Sequence, residues 1–168
     1  MYILPIAALS MASAVVVSLT VRTATDDLAT WHQDPASVSM PDKPNWYRLT
    51  PASTDTANTS AGEGDDREGV SPVFDVPVQQ LAATFDEVAM GESRVEVLAG
   101  SAAKGFVTYI QRSTVMGYPD YITVRFSKTN DGGSTLTLLS RARYGSSDMG
   151  VNEKRVRRWI QQTQERLD

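Results

Sequence analysis

Two stretches, Tyr121-Ile-Thr-Val-Arg-Phe-Ser-Lys128 and Thr135-Leu-Thr-Leu-Leu-Ser-Arg-Ala-Arg143, decide the fold of this chain. Both are rich in β-branched and apolar residues, and the segment Asn130-Asp-Gly-Gly-Ser134 between them tolerates a positive φ. Two such stretches joined by a turn of this composition are typical of an antiparallel hairpin. The sequence therefore predicts a β-hairpin in the second half of the chain.

Alternation sorts the side chains of this hairpin onto two faces. The face that helices would cover receives Ile122, Val124, Phe126, Leu136, Leu138, Ser140 and Ala142. The opposite face receives Tyr121, Thr123, Arg125, Leu139, Arg141 and Arg143. Three arginines are thus expected to share the face that the helices leave uncovered.

Two more strands and two helices complete the predicted domain. Strands over 94–99 and 106–113 precede the hairpin and are bounded by turn residues. A helix over 77–90 comes before them, since its apolar residues repeat at helical spacing. After the hairpin, Asn152 precedes a second amphipathic helix. This order predicts an α+β fold, a four-stranded antiparallel sheet with two helices on one face.

The same region carries motifs of a known family. The runs Arg112-Ser-Thr-Val-Met-Gly-Tyr-Pro-Asp-Tyr-Ile-Thr-Val-Arg125 and Ser140-Arg-Ala-Arg-Tyr-Gly-Ser-Ser-Asp-Met-Gly-Val-Asn-Glu-Lys-Arg155 resemble those of the bacterial and plastid family named domain of unknown function 1499. The resemblance covers residues 73–168 well and the first half of the chain only loosely, and it implies no activity. It also implies that Trp31-His-Gln-Asp-Pro35, a run found in similar members, docks at a specific place. Ala142 departs from the family pattern, in which many members have Ser.

The arginine-bearing face is the candidate binding site. Each guanidinium offers five N–H groups in a fixed fork that suits a carboxylate or a phosphate. The predicted site residues are Arg112, Asp120, Arg125, Arg141, Arg143, Asp148 and Arg155. Two interpretations stay open: an anion pocket, or arginines that pair with Asp120, Asp148 and carbonyl groups to fix the turn around Gly145.

The sequence offers few groups for metal binding or catalysis. It contains no Cys, which excludes disulfides and thiolate chemistry. Its single His, His32, lies outside the predicted domain and is a poor metal ligand by itself. It has no Gly-x-Ser-x-Gly, His-Glu-x-x-His or Rossmann motif. We therefore expect no metal and no cofactor.

The start of the chain differs from the rest. No charged side chain occurs from Tyr2 to Val21, and the run is close to the roughly 20 apolar residues that cross a bilayer. It predicts an N-terminal transmembrane helix over 1–22, with a cleaved secretion signal ending near Ala14 as the alternative. We expect a single-pass protein of the cell inner membrane whose domain lies in the periplasm.

Residues 23–72 form the predicted link between anchor and domain. They hold two short aromatic islands, at 31–35 and 44–49, in polar sequence punctuated by Pro. The stretch 51–69 has almost no large apolar group and cannot offset the entropy lost on ordering. We predict a flexible tether over 23–72 and a globular domain over 73–168.

Charge is unevenly distributed, since residues 1–72 hold four Lys/Arg and nine Asp/Glu, whereas 73–168 hold twelve and eleven. Together with the arginine face, this predicts a membrane-anchored binding or scaffolding module for an anionic small molecule, a lipid headgroup or a membrane protein. No nucleic-acid partner is expected in the periplasm.

Two other functions stay open at this point. One is an enzyme that uses Asp120, Asp148 and Arg141 as its polar working groups. The other is a membrane-surface module in which the basic stretch 154–158 rests on anionic lipid.

Overall fold

Six strands form one mixed sheet in the computed structural model, which describes residues 25–52 and 66–168. The strands are β1 (Trp46–Pro51), β2 (Glu68–Ser71), β3 (Val95–Ser101), β4 (Phe106–Arg112), β5 (Pro119–Lys128) and β6 (Ser134–Ala142). Their order across the sheet is β2-β1-β6-β5-β4-β3. The β1–β2 pair is parallel, and every other neighbouring pair is antiparallel.

Two long helices cover one face of this sheet. The helices are α1 (Leu28–Trp31), α2 (Val78–Gly91) and α3 (Val151–Leu167), with a 3₁₀ turn at Ala102–Lys104. Phe85 of α2 and Trp159 of α3 meet edge to face with ring centroids 5.9 Å apart, and Tyr109 of β4 lies 6.1 Å from Trp159. All three side chains are fully buried, so the core lies between the two long helices and the sheet.

The predicted hairpin is confirmed. Strands β5 and β6 pair antiparallel, with Tyr121 opposite Arg141 and Val124 opposite Leu138. Val124 and Leu138 belong to the core under the helices. Because successive side chains of a strand alternate, Tyr121 and Arg141 lie on the other face.

The predicted four-stranded antiparallel sheet is wrong, because the sheet has six strands and contains a parallel pair. The two additional strands, β1 and β2, come from the segment that the sequence analysis assigned to the tether. Strand β1 lies beside β6, with Leu49 opposite Leu138, and both side chains are in the core. Gly69 lets β2 approach, since a Cβ there would overlap the side chains of Tyr47 and Leu49. Strand β6, the partner of β1, is distant in sequence. The short segment of β1, which lies between prolines, therefore gave no local pattern that predicts this pairing.

The predicted transmembrane helix over 1–22 lies outside the described residues, as does the part of the tether at 53–65. Among the helices of residues 25–52 and 66–168, none is both long and apolar enough to cross a bilayer. The inner-membrane, single-pass and periplasmic location therefore stays a prediction from the sequence.

Residues 25–41, called the strap, cross the sheet face opposite the two long helices. Trp31 and His32 of the strap stack on Tyr121 and Phe106 of the sheet. At its end, the Trp46 indole N–H donates to the carbonyl of Pro41 over 3.3 Å. The face that the hairpin pattern left uncovered is thus covered by a segment that the sequence analysis placed in the tether.

Candidate functional site

The strap is anchored by aromatic stacking on the arginine face. Asp27 caps α1 by accepting the backbone N–H of Ala29 over 3.1 Å, and this single turn presents Trp31 to the sheet. The Trp31 and Tyr121 rings lie 3.8 Å apart between centroids with 10° between their planes. His32 stacks on Phe106 at 4.1 Å. The specific docking of the Trp31–Pro35 run that the family resemblance implied is therefore confirmed.

Asp26 of the strap bridges two arginines of the sheet face. Its Oδ2 lies 3.0 Å from Nη2 of Arg112, and its Oδ1 lies 3.2 Å from Nη1 of Arg143. The Tyr121 hydroxyl donates to the same carboxylate. Burial and this hydrogen bond raise the pKa of Tyr121 to about 12. Asp26 thus occupies the position that a carboxylate ligand of these groups would take.

A second strap acid holds a third arginine. Nε of Arg125 lies 2.8 Å from Oδ2 of Asp34, and the guanidinium carbon lies 4.5 Å from the ring centroid of Phe106. Arg125 therefore has both an acidic and an aromatic partner, as expected for a guanidinium that packs on a ring face.

A chain of hydroxyl groups lies beneath His32. Its Nδ1 is 2.8 Å from Oγ1 of Thr108, which is 3.0 Å from Oγ1 of Thr123. The Thr123 hydroxyl donates to the carbonyl of Trp31 over 3.2 Å. Because Thr123 uses its only hydrogen there, Thr108 must donate to Thr123 and accept from the imidazole. This arrangement assigns the Nδ1–H form of His32.

We expect the imidazole of His32 to titrate below its ordinary pKa, because burial and the nearby Arg125 guanidinium both disfavour the charged ring. A lowered folded-state pKa means that the unfolded chain binds more protons. The stability that the neutral ring contributes is therefore present above the ordinary pKa of about 6.5 and is lost as the pH falls from there through the lowered folded-state pKa.

NMR titration measures this pKa without ambiguity, since the chain has one His. The Arg125→Gln variant tests the second cause, since we expect the pKa of His32 to rise part of the way towards its ordinary value when the nearby positive charge is removed. A wild-type pKa at or above the ordinary value would contradict the docked position of the ring.

Arg141 differs from the other arginines of this face because no acid contacts it within the described residues. It is only 8% exposed. Its Nη2 donates to the carbonyl of Thr30 over 2.5 Å, and its guanidinium carbon lies 4.7 Å from the Trp31 ring centroid. Its Nε has no hydrogen-bond partner in the described part of the chain. Burial lowers the pKa of Arg141, because it disfavours the charged guanidinium.

Two adjacent cavities share Arg141 and Ser39 in their walls. The smaller, of about 300 Å³, lies between the strap and the end of β6 and also includes Lys43 and Arg143. The larger, of about 610 Å³, runs along the strap and is lined mainly by polar side chains. Arg141 thus lies where the two cavities meet.

Arg155 and Asp120 lie on the other side of the sheet, beneath α3. Nη2 of Arg155 is 2.5 Å from Oδ2 of Asp120, and Nη1 donates to Asn152 over 2.7 Å and to Ser140 over 3.1 Å. Its Nε donates to Gln111 over 2.5 Å. Burial raises the pKa of Asp120, and the contact with Arg155 opposes that shift. This buried network joins three strands to α3.

The structure thus divides the predicted site residues into three groups. Four of them share the strap-covered face, namely Arg112, Arg125, Arg141 and Arg143. Asp120 and Arg155 belong to the network under α3. Asp148 accepts the backbone N–H groups of Gly150 and Asn152 over 3.2 and 2.7 Å, so its carboxylate holds the start of α3, where Gly150 is the N-cap residue. No group of three or more potential metal-ligating side chains occurs in the described ranges.

A family model described as a protein of unknown function (DUF1499) matches residues 27–163. The chain belongs to the DUF1499 family. The matched span begins inside the strap and includes β1 and β2, so the DUF1499 domain extends well before residue 73, where the sequence analysis began it. Neither the curated proteins nor the solved structures contain a match to the chain.

Sequence reasoning missed the strap acids and the cavity residues of this DUF1499 domain, namely Asp26, Asp34, Ser39 and Lys43. The uneven charge was a usable signal, since the acidic first part of the chain supplies the partners of arginines in the second part. Asp120 also had a signal, because it lies two residues before Ile122 and alternation places both on the helix-covered face.

Proposed function

We propose that the DUF1499 chain is a binding module that holds an anionic ligand against Arg141, with the strap as one wall of the site. The observation that carries the proposal is a cation that is 8% exposed and has a carbonyl and an indole ring, but no acid, as described partners. Burying a charge without a counter-charge costs several kcal/mol. A bound anion at Arg141 would supply that missing partner.

The lining of the smaller cavity supports an anionic occupant. Lys43 and Arg143 join Arg141 there, and Asp42 is the acid among the lining residues. Arg143 also contacts Asp26, whereas Arg141 keeps an unpaired Nε among the described groups. The balance of charge around this cavity is therefore positive, which favours a carboxylate or phosphate group.

The two other functions considered from the sequence gain less support. Asp120 and Arg141 lie on opposite faces of the sheet, so they share no site for catalysis. On α3, Arg157 pairs with Glu153 at 2.8 Å and Arg158 pairs with Glu92 at 3.0 Å. These acids reduce the charge that the helix would present to anionic lipid.

Inorganic phosphate is expected to raise the melting temperature of the full chain by about 3–6 °C at ten times its Kd. The reference is chloride at matched ionic strength, and differential scanning fluorimetry is the measurement. The Arg141→Gln variant is expected to lose this shift, because it keeps a polar group but removes the charge.

Arg158→Gln is the matched control, since it removes an exposed arginine on the helix face. It should keep the phosphate shift. A phosphate shift that survives in Arg141→Gln would overturn the proposal. A purely structural role for Arg141 would give a different result. Phosphate would then not shift the melting temperature of the wild type, and Arg141→Gln would lower that temperature equally with and without phosphate.

A further inference from the structure

We infer that the ligand is a small polyhydroxylated anion, such as a sugar phosphate, whose acidic group binds at Arg141 and whose hydroxyl groups lie along the strap. This inference rests on the proposed function and names the ligand class of the same site. The inference comes from the larger cavity, which an acidic group bound at Arg141 would leave empty.

The larger cavity is lined by groups that bind hydroxyls. Its side chains besides Arg141 are Thr30, Gln33, Asp34, Ser37, Val38 and Ser39. Val38 is the one apolar side chain in this set. Hydroxyl and amide groups both donate to and accept from ligand hydroxyls, and a carboxylate accepts from them, whereas a hydrocarbon tail offers these groups no hydrogen bond. This wall therefore favours a polyol over a fatty acid or another anion with an apolar tail.

The positions of the two cavities define how such a ligand would lie. Arg141 and Ser39 belong to both walls, while Lys43 and Arg143 line only the smaller cavity and Gln33 and Ser37 line only the larger. An acidic group placed against the cations thus leaves the rest of the molecule next to the polar strap residues. Both cavities, of about 300 and 610 Å³, fall in the size range of small-molecule sites.

Isothermal titration calorimetry of the full chain in Tris chloride tests this with three probes: glucose 6-phosphate, inorganic phosphate and glucose. We expect glucose 6-phosphate to bind at least about tenfold more tightly than phosphate, because two or more added hydrogen bonds each contribute a few-fold. Glucose alone should show no binding. Arg141→Gln should abolish binding of both phosphorylated probes.

A double variant, Gln33→Ala with Ser37→Ala, separates the two cavities. This double variant should weaken the binding of glucose 6-phosphate about tenfold and leave the affinity for inorganic phosphate unchanged. The matched control, Gln80→Ala with Ser93→Ala, removes an amide and a hydroxyl outside both cavities and should change neither affinity.

The outcomes distinguish this inference from the proposed function. Equal affinities for the two phosphorylated probes, both dependent on Arg141, would overturn the polyol inference and leave the anion site standing. Glucose binding as tightly as its phosphate would also overturn it. No binding of any probe would overturn both.

Discussion

Replacing Arg155 with Met is expected to lower the free energy of unfolding by about 3–5 kcal/mol. The guanidinium is buried and contacts Asp120, Asn152, Ser140 and Gln111 at once. Met retains much of the packing volume but leaves the Asp120 carboxylate without its cation in a place where water does not replace it. Urea unfolding of the full chain, followed by circular dichroism, measures the loss.

Arg157→Met is the matched control for this substitution. Arg157 lies two residues further along α3, and its side chain is 65% exposed while it pairs with Glu153. An exposed pair of this kind contributes less than about 1 kcal/mol. If Arg155→Met costs no more than Arg157→Met, the buried network does not stabilise the fold as argued.

The partner carboxyl completes the test. In the double variant Arg155→Met with Asp120→Asn, part of the loss should be recovered, because the unpaired charge is no longer present. A double-mutant cycle gives the coupling between the two residues directly. Strong coupling would establish that this pair holds β5 to α3, and that Asp120 acts in the fold and not at the anion site.

The hairpin shows what could be predicted from the sequence. Strict alternation over β5 and β6 assigns Val124 and Leu138 to the core and Arg141 to the other face, and a shift of one residue would reverse both. Local pattern therefore decided the register and the faces. It placed Arg125, Arg141 and Arg143 on one surface before any partner was known.

The strap and β1 show what could not be predicted from the sequence. Strand β1 pairs with a strand about ninety residues away, and the strap docks through contacts such as Trp31 on Tyr121 that span a similar distance. Neither segment has a periodic pattern of its own, because stacking and ion pairing with the sheet replace it. Composition alone indicated a tether, since it carries no information on distant partners.

Replacing Trp31 with Ala is expected to detach the strap and to lower the free energy of unfolding by about 2–3 kcal/mol. The indole stacks on Tyr121 and lies against the guanidinium of Arg141, so both contacts are lost together. The strap has a single short turn of helix, and apart from the stack of His32 on Phe106 the contacts described for it are polar ones at the edges of the face. We therefore expect local opening, in which the amides of residues 31 and 32 exchange faster than the core.

The same variant connects the strap to binding. Trp31 forms part of the wall of the smaller cavity, so its loss should remove the phosphate-dependent thermal shift even though Arg141 remains. Leu28→Ala is the matched control, because Leu28 lies on the same turn, is 52% exposed and should cost less than about 0.5 kcal/mol. A Trp31→Ala protein that keeps both its stability and its phosphate shift would show that Arg141 binds anions without the strap. Loss of both would show that one docked segment completes the fold and the site together.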